Sequence, residues 1–305
     1  MSELLLGLAL GLLLGAGAAW GLAARRRQRT GRQLARLTRQ LAGLTGAALE
    51  RRLPVPAGEL AALTNALNDL LARLQQAMES QRSFVTQASH KLRTPLTSIT
   101  GQIEVTLIRP RSVAEHEQTW QSVLQDIARL NQLANDLLAL VQLTADCPGA
   151  RPQPVALDEV VYQAIVQLKA RRPGYQVQFE FDPRLDELSG PLVVAGDPDL
   201  LAQACLQLLD NGCKFSPERR VHAWLGLSEG QAALEFRDHG AGITPADLPR
   251  IFEPFFRGDN ARQVPGNGIG LALARRVAEL HGGTLRVLST PRRGTVARLQ
   301  LPLAA

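Results

Sequence analysis

A chain of 305 residues with 45% hydrophobic and 20% charged side chains has room for two or three folded modules and is not an intrinsically disordered polymer. The net charge of +6 invites a nucleic-acid partner, but seven arginines between Arg25 and Arg39 hold the excess; without them 27 basic residues face 28 acidic ones. The basic character is a local patch, and no reading helix or basic stripe for direct nucleic-acid binding follows it.

Leu4 to Ala24 is a run of 21 uncharged, mainly apolar residues, about 31 Å long as a helix and so about one bilayer core. Glu3 precedes the run and the arginines follow it, the reverse of a cleaved signal peptide. Residues 1–24 are therefore expected to be a transmembrane anchor, with the positive-inside bias placing the remainder in the cytoplasm. Gly7, Gly11 and Gly15 recur at every fourth position, which lets two such helices pack closely; a Gly/Leu/Ala-rich span also produces that spacing by chance. Cys147, Cys205 and Cys213 are odd in number and lack metal-site spacing, as expected for reduced thiols.

Residues 25–79 carry two short apolar rhythms, Leu34, Leu37, Leu41 and Leu44, then Leu60, Leu63, Leu67, Leu70, Leu74 and Ala77, joined by RRLPVPAG. Neither helix can bury its seam alone, so a parallel dimer of four helices is expected. In SQRSFVTQASHKLRTPLTSITGQ, from Ser80 to Gln102, a seam runs through Leu92, Leu96, Ile99 and Ile103. His90 lies roughly 200° round from Leu92 and faces solvent or a partner. Pro95 removes an amide donor and crowds the carbonyl of Lys91, so a kink is expected beside the histidine. After a turn at Arg109 to Ser112, Trp120, Val123, Ile127, Leu130, Ala134, Leu137 and Val141 alternate three and four apart. Residues 80–145 thus read as an antiparallel helical hairpin, and two hairpins from two chains close a dimeric four-helix bundle with His90 on its outside.

Residues 146–154, rich in proline, read as a linker, and 155–305 as one α+β domain. Helices are expected near Leu157 to Lys169, Pro198 to Lys214 and Ile269 to His281, with strands near Gln176 to Phe181, Val221 to Leu227, Gln231 to Arg237, Thr284 to Leu288 and Thr295 to Leu301. Helices on one face of a mostly antiparallel sheet, a two-layer sandwich, satisfy that order.

Within this domain QLLDNGCKFSP puts Gln207, Asn211 and Lys214 on one helical face. A carboxamide oxygen can ligate Mg²⁺ and an ammonium can neutralise phosphate; an ordinary solvated face has the same spacing. In FRDHGAGIT, Asp238 follows a strand, and Gly240 and Gly242 bracket a tight turn, where a buried carboxylate can accept from an exocyclic amine; a plain strand-ending turn looks similar. VPGNGIGLALA sets Gly266, Gly268 and Gly270 directly before a helix, a way of presenting amides to phosphate. Between them IFEPFFRGDNARQ clusters Phe252, Phe255 and Phe256, either as core or as the anchor of a lid.

Taken in order, these pieces resemble the sensor histidine kinases of bacterial two-component signalling, from about Glu59 to Pro302. SHKLRTPL corresponds to the H box, LLDNGCKFSP to the N box, DHGAGI and GNGIGLALA to the two glycine boxes, and FEPFFR to the F box. The resemblance implies a Bergerat-type ATP-binding fold for residues 155–305, and residues 25–79 resemble a HAMP linker. It further implies that His90 accepts a phosphoryl group from ATP, Asn211 binds Mg²⁺, Lys214 contacts phosphate and Asp238 holds the adenine amine. Gly240 and Gly242 would shape the base pocket, Gly266, Gly268 and Gly270 would cap the phosphates, Arg257 would serve the lid, and Thr295 would border the nucleotide beside Gly294. Thr94 corresponds to a polar residue that acts in dephosphorylating a partner. The implied partners are a response-regulator receiver domain and a second copy of the chain, and the implied location is a single pass through the bacterial inner membrane with the catalytic part in the cytoplasm.

Two positions depart from that pattern. The family usually has an acid after the phosphoacceptor, where this chain has Lys91, and a charged lysine cannot take the imidazole proton; losing a positioned base costs roughly 10²–10⁴ in rate. Gln207 stands where the family often has asparagine and where the related ATPase gyrase B has a water-activating glutamate, a task an amide cannot serve, so transfer to His90 is expected rather than steady hydrolysis. Lys91 leaves an alternative open, a kinase-impaired regulatory scaffold or a phosphatase-biased sensor.

Overall fold

The computed structural model describes residues 28, 31, 34–36, 38–39, 42, 50, 52–56, 60–108, 112–144, 153–187, 190–261 and 264–304. The apolar run 4–24, Leu37, Leu41 and Leu44 of the first short rhythm, and residues 145–152 lie outside them. Among the described residues no helix is long and apolar enough to cross a membrane. The chain divides into two compact units, Met1–Val85 and Thr86–Ala305.

In the first unit, helix α1 (Ala61–Ile108) begins one residue after Leu60. Leu53 and Leu71 are buried, and Leu60 and Leu67 pack against them. Asn68 clamps the connector to the helix: the Leu53 amide donates to Asn68 Oδ1 at 2.8 Å, and Asn68 Nδ2 donates to the Leu53 carbonyl at 3.0 Å. Leu63, Leu70 and Leu74 of the same rhythm stay exposed, a stripe that a single chain leaves uncovered.

In the second unit α1 includes Pro95 without a break in the helix. One proline removes one amide, and the flanking turns keep theirs; Thr94 Oγ1 donates to the His90 carbonyl at 3.1 Å. Helix α2 (Val113–Thr144) starts on a capping box, with the Ser112 amide donating to Glu115 Oε2 at 2.8 Å and the Glu115 amide to Ser112 Oγ at 3.3 Å. Ser98 Oγ and Gln102 Nε2 of α1 both donate to Asp126 Oδ2 of α2 at 3.1 Å, which fixes the register of the hairpin. Of the expected seam Val123 is buried while Trp120, Ile127 and Val141 are exposed, and Leu133, Leu140 and Leu143, outside that seam, are buried. The helix therefore has two apolar faces, and its own chain covers the second.

The α+β domain opens with β1 (Gln153–Ala156), which starts inside the stretch read as linker and pairs antiparallel with β3 (Val193–Gly196). Helices α3 (Leu157–Arg171), α4 (Pro198–Phe215) and α5 (Gly270–Leu280) accompany a five-stranded sheet. Its strands are β2 (Gln176–Phe181), β4 (Arg220–Ser228), β5 (Gln231–Asp238), β6 (Thr284–Thr290) and β7 (Gly294–Leu301), in the order β2-β4-β5-β7-β6. The β2-β4 pair is parallel and the others antiparallel. Alternation explains the layer: Val221, Ala223 and Leu225 of β4 are buried with Leu234 and Phe236 of β5 and Leu299 of β7. Leu201, Leu208 and Leu209 of α4 and Leu273 of α5 meet them as fully buried side chains.

Asp197 caps α4 by accepting from the Asp199 and Leu200 amides at 2.9 and 3.1 Å. Its own amide donates to His281 Nε2 at 3.0 Å, while His281 Nδ1 donates to the Val277 carbonyl at 2.7 Å. One imidazole thus ties the end of α5 to the start of α4. Leu273→Ala is expected to destabilise this domain by about 2–5 kcal/mol, read as a fall in the urea midpoint without a change of slope.

Candidate functional site

The last turns of α4 hold the site together. Leu201, Ala204, Cys205 and Leu208 bury one side of this helix, so Gln207, Asn211 and Lys214 emerge on another. Three of its residues abut three glycines. A Cβ on Gly270 would lie 2.5 Å from Gln207 Oε1, one on Gly266 2.4 Å from Lys214 Nζ, and one on Gly240 2.2 Å from the Phe215 carbonyl oxygen. Both glycine turns are therefore seated against consecutive residues, Lys214 and Phe215. Burial pushes the Lys214 ammonium below the ordinary lysine range, and the Asp210 carboxylate partly offsets it.

Asp238 ends β5 with a buried carboxylate whose Oδ1 accepts from the Gly240 amide at 2.8 Å. Burial raises its pKa, and the bonds from the Gly240 and Thr295 amides act in the other direction. Gly294 has φ +98, and a Cβ there would lie 2.0 Å from the Asp238 carbonyl; Gly242 has φ +68, with 2.1 Å to the Thr290 carbonyl. Neither place admits a side chain. Thr295 is the register partner of Asp238, and its Oγ1 lies 2.8 Å from Ser289 Oγ. Ser289 also accepts from the Ile243 amide at 2.8 Å, tying the glycine turn to the β6-β7 end. Nothing in the local sequence marked Ser289, because its role needs two strands and a turn to be in place.

Phe255 takes φ +67 and donates its amide to the Gly268 carbonyl at 2.8 Å, which joins the phenylalanine cluster to the second glycine loop. Phe255 is buried, while Phe252 and Phe256 lie beneath the guanidinium groups of Arg275 and Arg250. The Arg257 guanidinium donates to the Ala261 and Val264 carbonyls. It is folded onto the segment expected to form the lid.

On the hairpin His90 and Thr94 are exposed and Lys91 is half-buried. The imidazole is thus open to a reagent, and its neighbour in sequence has no acceptor for the ring proton. Cys205 and Cys213 are buried, and burial pushes both thiols up to about 12. They belong to the core and not to the chemistry.

Among the described residues no group of three or more His, Cys, Asp or Glu side chains could hold a metal ion. A cation at this site would be shared between phosphate oxygens and the Asn211 carboxamide, as suits Mg²⁺. The donor set otherwise fits an adenine nucleotide, with a buried carboxylate for an exocyclic amine and an ammonium with loop amides for the phosphates.

Residues 196–305 match the histidine kinase-, DNA gyrase B- and HSP90-like ATPase family, and residues 80–146 match the His Kinase A (phospho-acceptor) domain. The signal transduction histidine-protein kinase/phosphatase MprB of Mycolicibacterium vanbaalenii is 36% identical over 251 residues, covering 79% of this chain and 50% of that protein. Its namesake in Mycobacterium leprae is 34% identical over 246 residues, covering 78% of this chain and 46% of that protein. The chain spans about half the length of the curated relatives it matches. The solved histidine kinase AdeS of Acinetobacter baumannii, at 20% identity and a TM-score of 0.54, covers 71% of this chain and 98% of its own and shares the fold.

The raised pKa of Asp238 has a consequence for stability. Its contribution is fully present in acid, below the ordinary carboxylate value, and is lost as pH rises through the raised folded value. Asp238→Asn removes the ionisation, so the stability of the variant relative to wild type is expected to shift in the variant's favour from acid to neutral pH, read by thermal melts across that range.

Proposed function

This chain belongs to the sensor histidine kinases of bacterial two-component systems, and from that premise we propose that it phosphorylates its own His90 from Mg·ATP and passes the phosphoryl group to an aspartate of a response-regulator receiver domain. The observation that carries the reading is the pairing, in one chain, of an exposed imidazole on a helical hairpin with a glycine-seated frame around Asp238 and Lys214. Bound ATP supplies the γ-phosphoryl group, with Mg²⁺ neutralising charge on its oxygens.

The residues of the chain take the following parts. Asp238 accepts from the adenine amine, while Gly240 and Gly242 leave room for the ring. Lys214 and the amides from Gly266 to Gly270 neutralise and orient the phosphates, Asn211 offers its carboxamide oxygen to the cation, and Thr295 closes the edge of the pocket. One ring nitrogen of His90 donates its lone pair to the γ-phosphorus, the bond to the bridging oxygen breaks with its electron pair leaving on ADP, and the proton on the other ring nitrogen is released. Lys91 cannot receive that proton while charged, so it passes to water.

The wider architecture follows the same reading. Residues 1–24 anchor the chain in the inner membrane, 25–79 act as a HAMP-like linker, and the exposed Leu96 of α1 with Trp120, Ile127 and Val141 of α2 close a homodimeric bundle over 80–145. Residues 155–305 form the catalytic domain on the cytoplasmic side. A second reading, a phosphatase-biased sensor or regulatory scaffold, is favoured by Lys91 together with the exposed Thr94 one turn beyond His90.

Labelled ATP with Mg²⁺ separates the two. The kinase reading expects acid-labile label in wild type and none in His90→Gln, with Lys91→Glu raising the rate by up to about 10². Nucleotide binding without label in wild type, restored by Lys91→Glu, establishes the second reading.

A further inference from the structure

Helix α2 offers one face to the nucleotide domain. Gln132, Asp136, Leu140 and Leu143 fall within about 80° of arc, and three side chains from three elements reach toward them. Arg171 at the end of α3 donates to Gln132 Oε1 at 3.4 Å, Arg276 of α5 donates to the Leu143 carbonyl at 2.9 Å, and the Asn267 carboxamide lies near enough to the Asp136 carboxylate to favour its charged form. Gln132 Nε2 donates to Asp136 Oδ1 at 2.8 Å and holds that carboxylate in place. Asn267 sits between Gly266 and Gly268, in the loop that abuts Lys214.

The height of this contact along the hairpin follows from the cross-link described above. Asp126 of α2 accepts from both Ser98 and Gln102, so position 126 is level with the point midway between them, position 100. Ten residues back along α1 is His90, and ten residues on along α2 is Asp136. The two helices are antiparallel, so equal rises of about 15 Å bring both residues to one level.

Asp136 is only 7% exposed. Burial raises its pKa, with the Asp210 carboxylate adding to the effect, so this acid weakens the folded state at neutral pH. A costly buried acid beside a functional loop signals a role other than stability.

Resting on the kinase reading, we infer that Asp136 is a positioning residue for phosphoryl transfer: buried beside Gln132 on the face of α2 that Arg171 and Arg276 grip, it helps dock the nucleotide domain on the hairpin at the height of His90. A charged acceptor suits the task, because such a hydrogen bond is roughly twice as strong as a neutral one, and a loop misplaced by about 1 Å can cost 10² in rate.

The test is the steady-state split in the full-length chain, with the rate of His90 labelling followed against Mg·ATP and nucleotide affinity measured separately with a fluorescent ATP analogue. Asp136→Ala is expected to lower kcat about tenfold or more while KM and the nucleotide Kd hold. Asp136→Asn, which keeps an oxygen for Gln132, should fall between, and Gln132→Ala should lower kcat less; these two keep the test decisive where alanine at 136 loosens α2. An unchanged kcat in all three overturns the role. So does a raised kcat, which would make the contact a brake, or a raised KM at constant kcat, which would place Asp136 in the nucleotide pocket. Absence of label from wild type and every variant overturns the kinase reading itself, and this role with it.

Discussion

The site depends on the phase of one helix. Asp197 starts α4, core leucines hold its inner side, and eighteen residues later Lys214 and Phe215 meet a glycine from each of two separate turns. A helix advances about 100° per residue, so a slip of one residue in α4 would remove both contacts and turn Asn211 toward the sheet. His281 guards the same geometry from the other side, since α5 follows the second glycine loop and its end is hydrogen-bonded to the start of α4. The two helices that flank the loop therefore share one fixed point.

Buried ionisable groups separate chemistry from core. Lys214, Asp238 and Asp136 are each shifted in the direction that opposes their charged form, with burial as the leading cause. Lys214 and Asp238 touch glycine loops, and Asp136 lies near Asn267 of one of them. The buried thiols of Cys205 and Cys213 are shifted too, yet Cys205 lies among leucines on the inner side of α4 and Cys213 donates to the Gln176 carbonyl of β2. A shift becomes informative when its group faces backbone that no side chain occupies.

Much of this was legible in the sequence. The five long strands and three helices announce themselves through alternation and helical spacing, and the face of Asn211 and Lys214 follows from arithmetic. Strands β1 and β3 escaped because four residues each are too few to show a period, and β1 begins among prolines. On α2 the rhythm was plain but ambiguous: Trp120, Ile127 and Val141 mark one apolar face and Leu133, Leu140 and Leu143 another, and periodicity does not say which one the chain covers for itself. Asp136 was not singled out, because what packs over it, Arg171, Arg276 and the loop of Asn267, comes from distant parts of the sequence.

Arg257 sets a trade-off for the segment above the nucleotide. While its guanidinium binds the Ala261 and Val264 carbonyls, the turn is braced and the donors of the cation are taken up by backbone. To face a phosphate the same group must let go, and the turn then loses its brace. An ordered flap thus keeps its donors to itself and a flap that offers them is slack, so firmness over the pocket and grip on a phosphate trade against each other.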